Sequence, residues 1–322
     1  MSLPRRLLAA ITSPVGRVLG TAVLLGLVAT SIDWGLVGDR LRSGSWGWFV
    51  AAVAAVALAL VVGGVRWYRL LRGADVPAAP FETARAYSIG VFSNNFLPTS
   101  FGGDAARAWI VGRSGKPLMR AGTSVLADRV SALACFVLVG WLLLATDPGA
   151  VPGELVAGLA LVTLAGAAGV ALLVLAARSR RARRLLPAAF RTVGGEAASV
   201  LRAYAADRRL QLDTLVLGIG YQLLIVCSTW FLAKAIGLAL PLALLAVCLP
   251  LVLVVTLVPI SIAGFGLREG AFVVLLAQAG VAGADAALLS LLSVAALAIA
   301  SLPGGVALML PGRGRPQEGP LP

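Results

Sequence analysis

Histidine does not occur among the 322 residues. Its absence removes the usual general base, proton shuttle and commonest metal ligand. Charge is also scarce. Asp, Glu, Lys and Arg make up 13% of the chain, against about 25% in soluble globular domains. Only 14 residues are acidic, and three cysteines (Cys135, Cys227, Cys248) lie inside apolar runs without CxxC spacing. Those cysteines read as packing residues rather than redox or metal groups. The chain has no GxxxxGK[ST] phosphate loop, so ATP hydrolysis is excluded as its own energy source, leaving a gradient or downhill lipid flow. No metal site and no cofactor are expected.

What is abundant is apolar. Hydrophobic residues are 59% of the chain, and the mean hydropathy is +0.94. Such a chain cannot hide its apolar surface in a water-facing core, which makes it an all-α integral membrane protein. The 27 basic residues give a net charge of +13, but they cluster at the ends of apolar runs instead of forming a stripe for nucleic acid. No nucleic-acid partner is expected.

A spanning helix needs about 20 mostly apolar residues. Six runs qualify: Val15–Trp34, Trp46–Val65, Ser124–Thr146, Glu154–Ala177, Leu212–Ile236 and Ala286–Leu310. The first reads as a retained anchor, because no small-x-small cleavage site follows it. The second ends in Arg66-Trp67-Tyr68-Arg69-Leu70-Leu71-Arg72, a mixture expected at the headgroup layer. Two further segments, Ala84–Gly112 and Leu242–Ala279, are broken near the middle by proline, glycine and charge. Irregular backbone at membrane depth survives only inside protein or beside a wet cavity. Each segment therefore reads as a re-entrant hairpin.

With both termini cytoplasmic, this threading leaves only Arg40, Arg42, Lys234 and Arg268 off the cytoplasmic side. A full crossing by the first broken segment would instead move the arginine run 178–184 outside. Residues 178–211 are too polar to cross. Leu186, Phe190, Val193, Ala197, Val200 and Tyr204 form one apolar helix face there, either on anionic lipid or as an ordinary loop helix. Residues 1–310 form one membrane domain, with repeats of about 15–146 and 154–310, and 311–322 form a disordered cytoplasmic tail.

The repeat shows at the two breaks. Pro98, Ser100, Gly103 and Arg107 match Pro259, Ser261, Gly264 and Arg268 in the pattern Pro-x-Ser-x-x-Gly-x-x-x-Arg, at constant offset. Three spans separate the copies, so the hairpins enter from opposite faces as an inverted repeat, an arrangement that builds midplane sites in transporters. Proline ends each inbound helix and glycine permits the reversal. Each outbound helix then aims free N–H groups into the cavity, attractive to anions such as phosphate. The candidate substrate-binding residues are Asn94, Asn95, Ser100, Gly102, Gly103, Asp104, Arg107, Ser261, Gly264, Gly266, Arg268 and Glu269. Arg107 and Arg268 sit about one turn into the outbound helices, where a membrane-embedded charge costs about 2.5–3.5 kcal/mol unless partnered or used. Two roles stay open for them: neutralising Asp104 and Glu269, or holding an anionic headgroup. A gating or proton-coupling role for a carboxylate is a third possibility. Asp128 and Arg129, adjacent on a helix, point in different directions and pair with other elements, stabilising the first hairpin. Pro98 and Pro259 complete the structural motif.

These stretches resemble the lysylphosphatidylglycerol synthase transmembrane region, also called the flippase-like domain family. Asn95-Phe96-Leu97-Pro98, Gly102-Gly103-Asp104-Ala105-Ala106-Arg107, Asp128-Arg129 (where the family usually has Glu-Arg) and Pro259 through Glu269 carry the likeness, which covers roughly residues 15–310. The resemblance implies a multi-pass protein of the bacterial inner membrane that translocates lipid, here without the aminoacyltransferase domain found in multiple peptide resistance factors. The leading expectation is transport of a phosphate-bearing membrane lipid, and not an enzyme. A non-catalytic partner of a lipid-modifying enzyme is the alternative. A lipid-carrier transferase is the third class, and it is disfavoured by the missing histidine and the missing Asp-x-Asp motif.

Overall fold

A computed structural model of the chain describes residues 44–96, 102–112, 115–178, 188–258, 261 and 264–310, with single positions 26, 35 and 42. The first expected span and the tail lie outside the described residues, as do Pro98, Ser100 and Pro259. Among the described residues ten α-helices are delimited and no strand occurs. They are α1 (Trp46–Gly73), α2 (Pro80–Phe96), α3 (Gly102–Gly112), α4 (Gly115–Thr146), α5 (Gly153–Arg178), α6 (Ala188–Ala206), α7 (Arg208–Ala235), α8 (Leu242–Thr256), α9 (Leu267–Ala277) and α10 (Gly283–Met309).

Length sorts these helices into two kinds. Five of them (α1, α4, α5, α7 and α10) are long and apolar enough to cross a membrane. At 1.5 Å per residue the 17 residues of α2 and the 15 of α8 reach only about 25 and 22 Å. The 11-residue α3 and α9 reach only about 16 Å, and none of these four matches a hydrocarbon layer of about 30 Å. The short helices are the halves of the two broken segments.

Antiparallel α1 and α7 anchor the bundle. At one end the Ser45 amide donates to the Ala235 carbonyl at 3.0 Å, and Trp48 stacks on Phe231. At the other end Arg69 pairs with Asp213 at 3.2 Å, and the Tyr204 hydroxyl donates to the Leu70 carbonyl at 2.7 Å. That second end is arginine-rich. There Arg120 of α4 bonds Glu196 of α6 at 3.2 Å, and the Arg85 guanidinium donates to the Ala307 and Leu310 carbonyls. The last contact caps the carbonyls of α10 with a cation, the sign favoured at a helix C-terminus. In chain order α2 and α3, the helices of the first broken segment, lie between α1 and α4. Helices α8 and α9, those of the second, lie between α7 and α10.

Helix α8 sits in the middle of the core, with every residue from Ala243 to Val252 buried. A helix apolar on all sides belongs there. Around it, Leu155 and Leu159 of α5, Val139 of α4, Val226 of α7 and Leu289 of α10 close the main hydrophobic cluster. Cys248 lies in that cluster and Cys135 is also buried, both as free thiols.

Two sequence expectations need correction here. The second span does not stop near Val65: α1 runs to Gly73, and Arg66 and Trp67 are buried inside protein instead of anchoring at headgroups. Paired partners on α4 remove the need for solvent. The span expected from Leu212 begins earlier, at Arg208, because the Asp207 carboxylate accepts from the Leu210 amide and caps the helix. Of the two readings of the amphipathic segment, Val200 and Tyr204 of α6 favour the ordinary packed helix: Val200 and Tyr204 pack with Trp67, Leu71 and Val125.

Glycine sets the closeness of the first broken segment. A Cβ on Gly103 would overlap the Gly90 carbonyl oxygen, so α2 and α3 cross in backbone contact. Gly103→Ala should therefore force the two helices apart and lower stability by about 1–3 kcal/mol. Thermal melting in detergent checks this against Gly166→Ala, whose Cβ would meet nothing within 4 Å and which should melt no lower than wild type.

Candidate functional site

Residues from both broken segments meet around one cavity of about 260 Å³. Its walls carry Asn94 and Asn95 of α2, Asp104 and Arg107 of α3, Asp128 and Arg129 of α4, and Arg268 of α9. Arg66 of α1, Tyr87 of α2, Tyr221 of α7 and Thr256 of α8 complete the polar lining.

A chain of ion pairs organises this wall. The Arg66 guanidinium reaches one carboxylate oxygen of Asp128 through Nη2 at 2.7 Å and Nε at 2.9 Å. Arg107 Nη2 donates to the other Asp128 oxygen at 3.0 Å, and its Nε donates to Asp104 at 3.1 Å. The second Asp104 oxygen accepts from Arg129 Nε at 2.8 Å and Nη2 at 2.7 Å. The order is thus Arg66–Asp128–Arg107–Asp104–Arg129, tying α1, α4 and α3 together. Arg107 also lies over the rings of Trp67 and Tyr87, at 4.7 and 5.2 Å from their centroids, and Arg66 lies 5.7 Å from that of Tyr221. Aromatic faces attract a desolvated cation in this geometry. Trp67 is itself fixed by its indole N–H, which donates to the Ser124 hydroxyl at 3.1 Å.

Three polar atoms stay unsatisfied. Arg66 Nη1, Arg107 Nη1 and the Ser261 hydroxyl are buried without a hydrogen-bond partner among the described residues. Leaving a buried charged donor unmade is costly, so the two guanidinium N–H groups mark a place for an acceptor. Arg268 lines the same cavity; its backbone N–H donates to the Gly264 carbonyl at 2.9 Å, and its side chain forms no hydrogen bond or ion pair among the described residues.

The helix ends are different from expectation. One amide at the start of each short helix is occupied: Gly103 N, second in α3, donates to the Asn94 side chain at 2.9 Å, and Gly266 N, just before α9, donates to Glu269 at 2.5 Å. Intramolecular caps fill those positions, so free N–H groups at these glycines do not greet a ligand. Asn95 is held to Ser301 of α10 at 3.1 Å. Glu269 is fully buried, accepts a further bond from Ser290 and does not line the cavity. It makes no ion pair with Arg268 among the described residues. Arg268 stands second in α9 and Arg107 sixth in α3, so the two arginines are not at matching depths. Gly264 and Gly266 take φ of +78° and +81°, which a side chain would strain, and thereby shape the turn before α9. Asp104–Arg107 pairing is present, and Asp128 and Arg129 each bind other helices instead of each other.

Sequence reasoning missed Arg66, Trp67, Tyr87 and Tyr221. One signal was available for Arg66. It continues the face of small and buried residues Ala52, Ala55, Ala59 and Gly63 at three- and four-residue spacing, the face that packs inward.

A bundle of spanning helices with short paired helices around a buried cationic cavity defines a multi-pass helical membrane protein. Residues 15–305 match the family described as the lysylphosphatidylglycerol synthase TM region, and the chain belongs to that family. It is also 28% identical over 282 residues to a UPF0104 membrane protein of Methanothermobacter thermautotrophicus, covering 77% of this chain and 79% of that one.

Proposed function

We propose that the protein moves a phosphate-bearing lipid between membrane leaflets, with the headgroup held in the arginine cavity. The observation that carries this reading is the pair of buried, unsatisfied guanidinium donors, Arg66 Nη1 and Arg107 Nη1, at the meeting point of two helix pairs too short to span. Charge-assisted bonds to phosphate oxygens are what such donors make best. In this reading the α2–α3 and α8–α9 pairs are re-entrant hairpins in inverted orientation, and rocking one against the other alternates access. In this reading the arginine-rich end faces the cytoplasm, as the positive-inside rule favours, and both termini lie on that side. The membrane is then the cytoplasmic (inner) one.

The test is reconstitution. Liposomes carrying the purified protein should exchange a headgroup-labelled phospholipid between leaflets faster than protein-free liposomes. No acceleration across phosphatidylglycerol, its aminoacyl derivatives and polyprenyl phosphates, with folded protein, would reject the transport reading.

The threading has its own check. Ser100→Cys and Val258→Cys, the latter at a position 48% exposed, each in a background without the native cysteines, should be labelled by an impermeant thiol reagent from opposite sides of oriented vesicles. Labelling of both from the same side would reject the inverted orientation.

A further inference from the structure

A second cavity, of about 320 Å³, opens on the flank of the bundle, with α1 and α10 as its sides and α2 between them. Small residues hollow it out: Ala57 and Gly64 on α1, Ala84 on α2, and Ala300 and Gly304 on α10. A Cβ on Gly304 would overlap the Ser88 carbonyl oxygen, so α10 rests on α2 in backbone contact and no side chain fills the trough there. Its rim is apolar and exposed, with Val61 and Val65 on α1 and Pro303 on α10. No Asp, Glu, Lys or Arg lines it. Two observations say what fills this groove. The first is continuity: Leu60, Tyr87 and Val91 line both the groove and the arginine cavity. Tyr87 stands at the division, with Arg107 over its ring, and the Asn95 amide of the cavity donates to the Ser301 hydroxyl of the groove at 3.1 Å. The second is length. Along α1 the lining runs from Ala57, near the middle of the helix, to Tyr68 near its arginine-rich end, a rise of about 16 Å. Half of a hydrocarbon layer of about 30 Å is about 15 Å, the depth of one leaflet.

We infer that the groove holds an acyl chain of the same lipid whose headgroup lies in the arginine cavity, and that this lipid enters sideways from the leaflet at the arginine-rich end. The inference rests on the headgroup reading above and extends it to the tail. A lipid needs two adjoining compartments of opposite character, and the cavity and the groove supply them. A chain that leaves bulk lipid for the groove gains no hydrophobic energy, because the hydrocarbon around it is as apolar as the valines it meets. The groove therefore fixes where the tail lies, while the headgroup contacts decide whether that lipid stays. Occupancy of the groove must then depend on the arginines. A pocket of about 330 Å³ beside α4 and α7, which includes Cys135 and Leu215, makes the comparison. It shares no lining residue with the arginine cavity, so a chain there belongs to an ordinary surrounding lipid.

The experiment is photocrosslinking of the full chain in phosphatidylcholine nanodiscs doped with phosphatidylglycerol that carries a diazirine on one acyl chain. Labelling should concentrate on residues 57–68 and 300–304 over residues 161–172 of α5, a span whose lipid-facing side has no groove. Ala84→Phe and, separately, Ala57→Trp fill the trough at exposed positions and should each lower groove labelling by about tenfold. Ala167→Phe, exposed on α5, should leave it unchanged. Arg107→Ala should lower groove labelling as well, without changing that of the pocket beside Cys135; Arg107→Lys repeats the comparison if the alanine variant does not melt as a folded protein. Even labelling of the groove and α5 would overturn the inference, as would groove labelling undiminished in a folded Arg107 variant. Native mass spectrometry of retained phosphatidylglycerol on the same variants separates the two readings. Retention that needs Arg107, with even labelling, would overturn the tail site and leave the headgroup site standing. Retention indifferent to Arg107 would overturn the headgroup site and the tail inference with it.

Discussion

Asp128→Ala should destabilise the protein more than any other substitution in the cavity wall, by about 3–5 kcal/mol. Asp128 is 4% exposed; one of its oxygens holds Nε and Nη2 of Arg66 and the other holds Nη2 of Arg107. Removing it leaves two buried guanidiniums facing each other, each of which already has one unsatisfied N–H. Repulsion and lost hydrogen bonds then act together, and α1, α3 and α4 lose their common tie. The melting temperature in detergent should fall by on the order of 10 °C. Adding Arg66→Met and Arg107→Met to Asp128→Ala should recover much of the loss, because no orphan charge remains. Arg129→Ala should cost far less, since its side chain is 46% exposed and solvent screens it. A melt of Asp128→Ala indistinguishable from wild type would mean that the carboxylate is not the hub of the network.

Five of the six expected spans, the two breaks and five of the six charged lining residues are legible in the sequence for simple reasons. Runs of about 20 apolar residues admit one solution in lipid. Proline, glycine and a charge inside such a run interrupt it wherever the chain folds, which exposes Asp104, Arg107 and Arg268. Asp128 and Arg129 follow from standing together on one apolar helix. Arg66 was hidden because its own neighbourhood, rich in arginine and aromatic residues, is also what a headgroup anchor looks like. Only Asp128, 62 positions away, distinguishes a buried pair from a snorkelling cation. The occupied helix ends were half-legible. Glu269 stands three residues after Gly266, the spacing of a capping box, and that pattern argues against a free helix end there. The Asn94 cap on Gly103 bridges a turn, and local spacing does not reveal it.

Arg107→Ala should slow lipid exchange by about 30-fold or more, the effect of losing one buried charged contact worth at least about 2 kcal/mol. Arg107 is the residue shared by both carboxylates, the two aromatic rings and the open face of the cavity. Its removal takes one buried positive charge and one of the unsatisfied donors at the same time. Folding should survive better than in Asp128→Ala, because each carboxylate keeps an arginine: Asp128 retains Arg66, and Asp104 retains Arg129. Arg107→Lys separates charge from shape. A lysine keeps the positive charge but cannot bond Asp104, Asp128 and a phosphate oxygen from one planar fork. It should therefore recover stability more than exchange rate. The discriminating measurement pairs exchange in liposomes with melting in detergent for the same preparations. If Arg107→Ala melts well below wild type but exchanges lipid at the wild-type rate when folded, Arg107 is a strut of the bundle and the headgroup sits elsewhere.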